Sequence, residues 1–330
     1  MGGDLRGNMT KIDVDLLVIS EMRDYVQEQL DERFRAYKLY EAPDPNAMIA
    51  ALGPSIRAVA AGSHRNVDTD LMNKLPNLEI VSNFGVGYDN VDAKSAGERG
   101  IIVTNTPDVL SDEVADTAIG LMINTVRELP QAEQFLRAGK WTSENYPLTP
   151  NTLREKRLGI AGLGRIGKSI AERAKSFGLS IAYYGRSDQK IAYTYYDTLK
   201  ALAENVDIII SVLPGGAATN KAYNEDVFKA LGPDGTFINI GRGSTVDEDA
   251  LIEALKNGTI RSAGLDVFDH EPHVPEALMA LPNAVLLPHV GSGSVYTRNA
   301  MGQLLVDNLT NWFDNGKPIT PVAETPFTAK

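Results

Sequence analysis

Residues 158–167 read LGIAGLGRIG and join a short apolar strand to a helical pattern that extends to Phe177. Gly162 permits the tight turn, Gly164 lets the backbone approach a pyrophosphate, and Gly167 allows the helix to pack closely on the strand. The N–H groups at the start of such a helix attract phosphates. Glycine makes up 29 of the 330 residues, so three spaced glycines alone are weak evidence. Their place between a strand and a helix is what dinucleotide binding requires, and it predicts a Rossmann-type nucleotide site.

The next predicted strand, residues 179–184, ends where the adenosine ribose of a bound dinucleotide is expected. An acidic residue at this point is typical of NAD, but the chain continues with Gly185-Arg186-Ser187. A guanidinium and a hydroxyl suit a 2′-phosphate, which favours NADP(H) and leaves NAD(H) as the second choice. The alternative is a solvated turn with an incidental arginine, and the neighbouring Asp188 keeps that alternative open.

The length and composition describe an ordinary globular chain of about two domains. The 330 residues are 43% apolar and 23% charged, with a formal net charge of −11. This negative charge argues against nucleic acid or an anionic membrane as a partner. The chain has no cysteine, which excludes disulfides, thiolate zinc sites and cysteine nucleophiles. Because no apolar run approaches the length of a membrane span, we expect a cytoplasmic protein.

Strand-like runs alternate with helical segments in the first third of the chain. The runs lie at residues 14–19, 58–61, 78–81 and 101–103, and a helical stretch up to Phe34 follows the first of them. This alternation predicts a βα region with its own parallel sheet. Two of the strands end in glycine-containing turns, one at residues 62–64 and one at residues 83–88. Such turns are where parallel sheets bind ligands, although Gly85 and Gly87 could also make an ordinary turn.

A strongly apolar helical pattern begins at Ser111 and continues toward Arg137, which is typical of a buried connector or a subunit interface. From residue 158 onward, six strands alternate with helical segments and fit one doubly wound sheet. The tail carries an apolar helical face from Met301 to Phe313 that is most simply explained as core. We therefore expect an α/β fold with two Rossmann-like, doubly wound parallel-sheet domains and the active site in the cleft between them. Residues 1–106 and 299–330 would form a flavodoxin-like substrate-binding domain, and residues 107–298 the dinucleotide-binding domain.

Three polar segments follow the carboxyl ends of strands in the predicted second sheet: Arg242, residues 266–271, and His289. Carboxyl ends of parallel strands share one edge, which is also the edge of the glycine loop, so these side chains can converge on the cofactor. Reduction of a 2-keto acid needs a cation for the substrate carboxylate, a proton donor, and an anion that orients the donor. An arginine, a histidine and a carboxylate meet these needs, although His289 could also be an ordinary structural histidine.

The same segments resemble the motifs of the D-2-hydroxyacid dehydrogenase family. The resemblance covers about residues 58–298 and rests on residues 83–92, 162–167, 239–247, 264–272 and 287–292. Within the family, the chain is most similar to NADPH-dependent glyoxylate/hydroxypyruvate reductases, through Tyr184-Gly185-Arg186-Ser187 and Pro214-Gly215-Gly216. Residues 291–294 and the pair Gly215-Gly216 differ from commoner members, which bears on substrate choice more than on chemistry.

The resemblance implies that the protein reduces glyoxylate or hydroxypyruvate to the D-2-hydroxy acid with NADPH. His289 would be the general acid, Glu271 its paired carboxylate and Arg242 the substrate clamp. Backbone N–H groups of Val86 and Gly87 would hold the substrate carboxylate.

The resemblance also implies homodimers built around the helix after Ser111, with Trp141 reaching the partner's active site. His64 is an even choice between a substrate contact and an exposed residue. Asp266 would bind the nicotinamide carboxamide, although an aspartate bonded only to nearby backbone is a fair alternative. The remaining implied cofactor contacts are Gly162, Gly164, Arg165, Ile166, Gly167, Arg186, Ser187, Leu213, Pro214, Thr219, Ile240, Gly241, His289 and Gly291.

Other activities stay open at this point. Within the same class they are a hydroxyphenylpyruvate reductase and an NAD-linked D-lactate or phosphoglycerate dehydrogenase. A corepressor-like NAD(H) sensor belongs to a different class, and it predicts long disordered partner-binding segments that the sequence does not show. The run His270-Glu271-Pro272-His273 superficially suggests a metal site. Its spacing is not H-E-x-x-H and Pro272 disfavours a continuing helix, so we predict no metal.

Overall fold

The computed structural model of the protein describes residues 11–62 and 65–327. The chain divides into two compact units. One unit consists of the chain up to Leu110 together with the chain from Val295 onward, and the other is Ser111–Ser294. The predicted boundaries, after residues 106 and 298, lie close to these positions. The prediction for His64 falls outside the described residues.

The first unit is built on a parallel sheet with the flavodoxin-like strand order β2-β1-β3-β4-β5. The strands are β1 Asp15–Val18, β2 Arg35–Lys38, β3 Ile56–Ala61, β4 Ile80–Asn83 and β5 Ile102–Thr104. The helices that connect them are α1 Asp24–Arg33, α2 Pro45–Leu52, α3 Thr69–Asn73 and α4 Ala93–Glu98. Asp44, Asp68 and Asp92 cap the last three of these helices by accepting a backbone N–H of the first turn.

Strand β2 was not predicted from the sequence, which indicated a helix up to Phe34 and no strand after it. The strand pairs with β1 at the edge of the sheet, and its residues are exposed or half-buried. A charged edge strand lacks the apolar run that marks a strand covered on both faces.

The second unit contains a seven-stranded parallel sheet in the order β12-β11-β10-β9-β6-β7-β8. The chain therefore winds outward in both directions from β6, as in a Rossmann sheet. The strands are β6 Arg157–Ala161, β7 Ser180–Tyr184, β8 Thr194–Tyr196, β9 Ile208–Ser211, β10 Thr236–Asn239, β11 Ser262–Leu265 and β12 Ala284–Leu286. The helices are α5 Ser111–Arg127, α6 Leu129–Arg137, α7 Arg165–Lys175, α8 Leu199–Ala203, α9 Glu225–Leu231, α10 Glu248–Lys256 and α11 Glu276–Met279. Of the strands in this sheet, the sequence did not predict β8, which is a three-residue edge strand beside β7.

The helical pattern after Ser111 is two helices rather than one. Helix α5 ends at Arg127, Glu128 adopts a left-handed backbone with φ of 53°, and α6 starts again at Leu129. The apolar face of α5, including Ala118 and Met122, is buried within its own unit. The apolar residues that stay exposed lie on α6 and in the segment after it.

The C-terminal helix α12, Val295–Asn315, packs on the sheet of the first unit. Leu305 and Leu309 are fully buried in the same core cluster as Leu16 and Ile80. The first unit is thus built from both ends of the chain, and the prediction of two parallel-sheet α/β domains is confirmed. No helix in residues 11–62 and 65–327 is both long and apolar enough to cross a membrane.

Candidate active site

The glycine loop between β6 and α7 leaves room for a phosphate group. Gly162 has φ of 98°, and a Cβ atom there would lie 2.9 Å from the carbonyl oxygen of Val212. A Cβ on Gly167 would lie 2.2 Å from the carbonyl oxygen of Gly162, so a larger residue would push α7 away from the loop. At Gly164 a Cβ would meet no described atom within 4 Å. Helix α7 begins at the next residue, and the N–H groups at the start of a helix attract phosphates, so the loop fits a dinucleotide pyrophosphate.

The loop after β9 adjoins this site, because β9 pairs with β6 on one side and with β10 on the other. Leu213 and Ile240 are buried at the ends of β9 and β10. A Cβ on Gly241 would lie 2.6 Å from the carbonyl oxygen of Leu213, so the two strand ends touch through their backbones. The Thr219 hydroxyl donates to the carbonyl oxygen of Pro214 at 2.6 Å and closes the loop on itself.

His289 and Glu271 form a hydrogen-bonded pair at the ends of two adjacent strands, β12 and β11. Nδ1 of His289 lies 2.7 Å from Oε2 of Glu271, and Oε1 of Glu271 accepts the N–H of Phe268 at 3.0 Å. Burial alone would raise the pKa of Glu271, but the bonds from His289 and Phe268 outweigh it and hold the pKa below its ordinary value. Glu271 is therefore a carboxylate at neutral pH. It fixes the imidazole through Nδ1, which leaves Nε2 of the 44% exposed ring for a ligand.

The backbone of His289 is held by Asp266. His289 has φ of 51°, in the left-handed region that non-glycine residues seldom adopt. Its N–H donates to the carbonyl oxygen of Asp266 at 2.9 Å, and the N–H groups of Val290 and Gly291 donate to the two carboxylate oxygens at 2.7 and 2.8 Å. Burial raises the pKa of Asp266, although these bonds oppose the rise. The structure thus has the aspartate bonded to nearby backbone, and a contact with the nicotinamide carboxamide stays a prediction.

Arg242 follows β10, the neighbour of β11, and its half-buried side chain lies near the pair. Its carbonyl oxygen accepts Nδ2 of Asn239 at 2.9 Å and the hydroxyl of Thr245 at 2.7 Å, which fixes the turn. A Cβ on Gly243 would lie 1.8 Å from the carbonyl carbon of Phe268, so this turn contacts the segment that carries Glu271. After burial and the hydrogen bonds, the charge of Arg242 adds a further lowering of the pKa of Glu271.

The turn after β7 exposes Arg186 and Ser187. In the part of the chain that the structure describes, no hydrogen bond or ion pair engages either side chain. Asp188, by contrast, accepts Nζ of Lys190 at 2.7 Å, the Lys190 N–H at 2.9 Å and the Tyr183 hydroxyl at 2.9 Å. These bonds, led by that of the Lys190 ammonium, lower the pKa of Asp188 to about 2. The turn offers a cation and a hydroxyl to an anion while its carboxylate is occupied by protein donors.

The loop after β4 in the first unit is bound through its carbonyl groups. Asn105 Nδ2 donates to the carbonyl oxygen of Val86 at 2.8 Å, and Asn83 Nδ2 donates to that of Gly87 at 2.9 Å. The N–H groups of Val86 and Gly87 donate to no acceptor among the described residues. Gly85 has φ of 150° and lets the chain turn sharply here. Adjacent unpaired backbone N–H groups of this kind form a binding site for an anion.

Trp141 lies in a short 3-10 turn, Lys140–Thr142, and is 65% exposed. Its side chain is therefore accessible on the surface of the second unit. Three further residues shape these loops although the sequence did not predict them as site residues, namely Tyr183, Asn83 and Asn105. A tyrosine inside an apolar strand is typical of core, and asparagine beside a turn is common, so the sequence carries little signal for them.

Comparison with protein families finds a match of residues 119–291 to the NAD binding domain of D-isomer specific 2-hydroxyacid dehydrogenases. The matched stretch contains the glycine loop, Arg242, Glu271 and His289.

Individual relatives align with nearly the whole chain. A hydroxyphenylpyruvate reductase from Plectranthus scutellarioides is 46% identical over 94% of this chain and 99% of its own length. Glyoxylate/hydroxypyruvate reductase A from Arabidopsis thaliana is 45% identical, again over 94% of this chain and 99% of its own length. The crystal structure of an NADPH-dependent glyoxylate/hydroxypyruvate reductase from Sinorhizobium meliloti, in complex with NADP and malonate, is 51% identical. Its TM-score is 0.90, with 97% of this chain and 99% of that chain covered. The similarity therefore extends through both units.

Proposed function

The chain belongs to the D-isomer specific 2-hydroxyacid dehydrogenase family, and we propose that it reduces the small 2-keto acids glyoxylate and hydroxypyruvate to D-2-hydroxy acids with NADPH. The observation that carries the proposal is the His289–Glu271 pair, with Arg242 beside it, at the sheet edge that also bears the dinucleotide loop. A proton donor, its orienting anion and a cation are the groups that keto-acid reduction requires.

In the proposed catalytic step, the cofactor supplies the hydride and the protein supplies the proton. The reduced nicotinamide, when bound, supplies the hydride that adds to the keto carbon. His289 gives the proton from Nε2 to the carbonyl oxygen, because Nδ1 is engaged by Glu271. Glu271 stays charged and stabilises the imidazolium that precedes the transfer. Arg242 attracts the substrate carboxylate and polarises the carbonyl group.

The substrate carboxylate is proposed to bind the N–H groups of Val86 and Gly87 as well. Two observations support this contact. The carbonyl oxygens of both residues accept hydrogen bonds from asparagine side chains, and their N–H groups donate to no acceptor among the described residues. Trp141 is retained as a proposed substrate contact in the partner's active site, and His64 stays an even choice between a substrate contact and an exposed residue.

NADPH is proposed over NADH because the turn after β7 presents a guanidinium and a hydroxyl where a ribose 2′-phosphate would lie. Both side chains, Arg186 and Ser187, are exposed. The glycine loop would hold the pyrophosphate, and the segments of Leu213, Ile240 and Gly291 would line the nicotinamide half.

A homodimer is the proposed assembly. Helix α6 and the segment after it expose four large apolar side chains, Leu129, Leu136, Trp141 and Leu148, at 43%, 54%, 65% and 96%. Exposed apolar residues grouped along one stretch are typical of a protein interface. Replacing Leu136 by aspartate should convert the dimer to a monomer in sedimentation analysis, and an unchanged sedimentation coefficient would contradict this surface. The cytoplasm is the proposed location.

The test is oxidation of NADPH and of NADH, followed by absorbance, with glyoxylate, hydroxypyruvate, pyruvate and hydroxyphenylpyruvate. Rapid oxidation of NADPH by the first two supports the proposal. A preference for hydroxyphenylpyruvate, the activity of the relative from Plectranthus scutellarioides, would assign the second candidate. The variant His289→Ala should lose turnover by about 10²-fold or more and still bind NADPH. Its control is His270→Ala, because the His270 side chain is 84% exposed and lies in the same loop as Glu271. Full turnover in His289→Ala would overturn the assignment of the acid.

A further inference from the structure

The hydroxyl of Tyr183, a residue outside the sequence motifs, holds the turn after β7 in its conformation. Tyr183 is fully buried near the end of β7, and its ring packs on Tyr195 with the centroids 5.3 Å apart. The hydroxyl donates to Oδ1 of Asp188 at 2.9 Å and accepts the N–H of Gln189 at 2.7 Å. One rigid side chain therefore fixes two consecutive residues of the turn.

A second contact ties this turn to the glycine loop. Nε2 of Gln189 donates to the carbonyl oxygen of Leu163, between Gly162 and Gly164, at 2.8 Å. Tyr183, Asp188 and Gln189 thus form one chain of hydrogen bonds, which we call the turn brace. Arg186 and Ser187 lie between Tyr183 and Asp188 in the chain, so the brace joins the turn that carries them to the glycine loop.

Asp188 has the residue type that would favour NADH in this region, yet the brace prevents that role. In NAD-binding sheets, an acidic side chain after the second strand accepts the ribose hydroxyls. Both oxygens of Asp188 are instead engaged by Lys190, and Oδ1 also by Tyr183. The carboxylate is thereby kept from the ribose, and its charge is matched by an ammonium group 2.7 Å away. The turn would therefore favour NADPH through Arg186 and Ser187, and it would disfavour NADH because Asp188 is kept from the ribose.

Resting on the proposed NADPH dependence, we propose that Tyr183 and Asp188 are positioning residues that determine the preference for the 2′-phosphate over a free ribose hydroxyl. They act through Arg186 and Ser187, which they hold in place, and they do not touch the reacting atoms.

The experiment measures ligand binding by calorimetry, separately from turnover. The probes are 2′,5′-ADP, which carries the 2′-phosphate, and 5′-AMP, which lacks it. The variants are Tyr183→Phe, which removes one buried hydroxyl, and Asp188→Asn, which removes the charge at a partly exposed position. Loss of a hydrogen bond to a charged group should weaken 2′,5′-ADP about tenfold in each variant and leave 5′-AMP within about twofold. The matched control is Tyr193→Phe, whose hydroxyl donates to Glu172 on α7 and not to the turn.

A merely structural role would weaken both probes equally or lower the melting temperature without changing their ratio, and either result would overturn the inference. Steady-state kinetics give a second readout, because the ratio of kcat/KM for NADPH to that for NADH should fall about tenfold in both variants. The wild type separates the two proposals. If it binds the two probes equally, the proposed NADPH dependence fails first. If it prefers 2′,5′-ADP and the variants keep that preference, only the role of the brace is refuted.

Discussion

Replacing Glu271 by glutamine tests the catalytic pair most directly. The carboxylate lies 2.7 Å from Nδ1 of His289, a charge-assisted hydrogen bond that glutamine of the same size cannot reproduce. Hydrogen bonds to charged groups are worth about 1.5–3 kcal/mol. At about 1.4 kcal/mol for each factor of ten, their loss lowers kcat by about ten- to a hundredfold. Binding of NADPH should be unchanged, because Glu271 contacts protein groups through both oxygens.

The assay is steady-state reduction of hydroxypyruvate by NADPH, with cofactor affinity measured separately by fluorescence. A matched control is available in Glu248→Gln. Oε1 of Glu248 accepts the N–H of Asp269 at 2.9 Å, so it braces the same loop without touching His289. If Glu271 only supports the loop, both variants should lose similar activity.

Two results would refute the reasoning. One is a kcat for Glu271→Gln within about twofold of the wild type, which would mean that the pair does not contribute to proton transfer. The other is an equal loss in Glu248→Gln, which would assign the effect to the loop backbone.

Three further outcomes are expected. Asn105→Ala should raise KM for hydroxypyruvate about tenfold, with KM for NADPH unchanged, because it releases the carbonyl oxygen of Val86; steady-state kinetics check this, and an equal rise in both constants would contradict it. Gly167→Ala should lower the free energy of unfolding by about 1–3 kcal/mol, measured in urea, since its Cβ would lie 2.2 Å from the carbonyl oxygen of Gly162. Unfolding at different pH values should show that the stabilisation from Glu271 is complete above its ordinary pKa of 4.5 and is lost as pH falls through its lower folded-state pKa. A constant difference between wild type and Glu271→Gln at all pH values would show that the pKa of Glu271 is not depressed.

The parts of the fold that the sequence predicts are those fixed by local constraints. The strand, turn and helix around Gly162 follow from glycine geometry and apolar pattern, and the structure has them at β6 and α7. The edge strands β2 and β8 were missed because they are only four and three residues long, are exposed or half-buried, and lack the apolar run that marks a central strand. The break between α5 and α6 does have a local signal, because Pro130 in the first turn of α6 disfavours a continuous helix, and the left-handed backbone at Glu128 separates the two helices.

The sequence predicts which strand ends carry the residues of the candidate site, but it does not predict most of the hydrogen bonds that these residues make. Topology alone brings Arg242, Glu271 and His289 to neighbouring strands, since β10, β11 and β12 pair in order. The bonds of Asp266 and Asp188 depend on the path of the loops, which no residue pattern specifies. The sequence identifies Asp266 and Asp188 as carboxylates near a cofactor. The structure shows that both carboxylates accept hydrogen bonds from backbone N–H groups.

The formal charge of −11 raises the question of how anionic ligands would be tolerated beside carboxylates. Asp188, Asp266 and Glu271 each accept at least one backbone N–H, and the dipole of that group points toward the negative charge. These carboxylates thus hold in place the turns that carry Arg186 and His289 and the loop that contains Phe268. Removing one of these carboxylates takes away a negative charge, yet it also releases the turn that presents a cation or a proton donor. For Asp188, whose turn presents Arg186, binding of a 2′-phosphate should therefore weaken, which is the opposite of what net charge alone predicts.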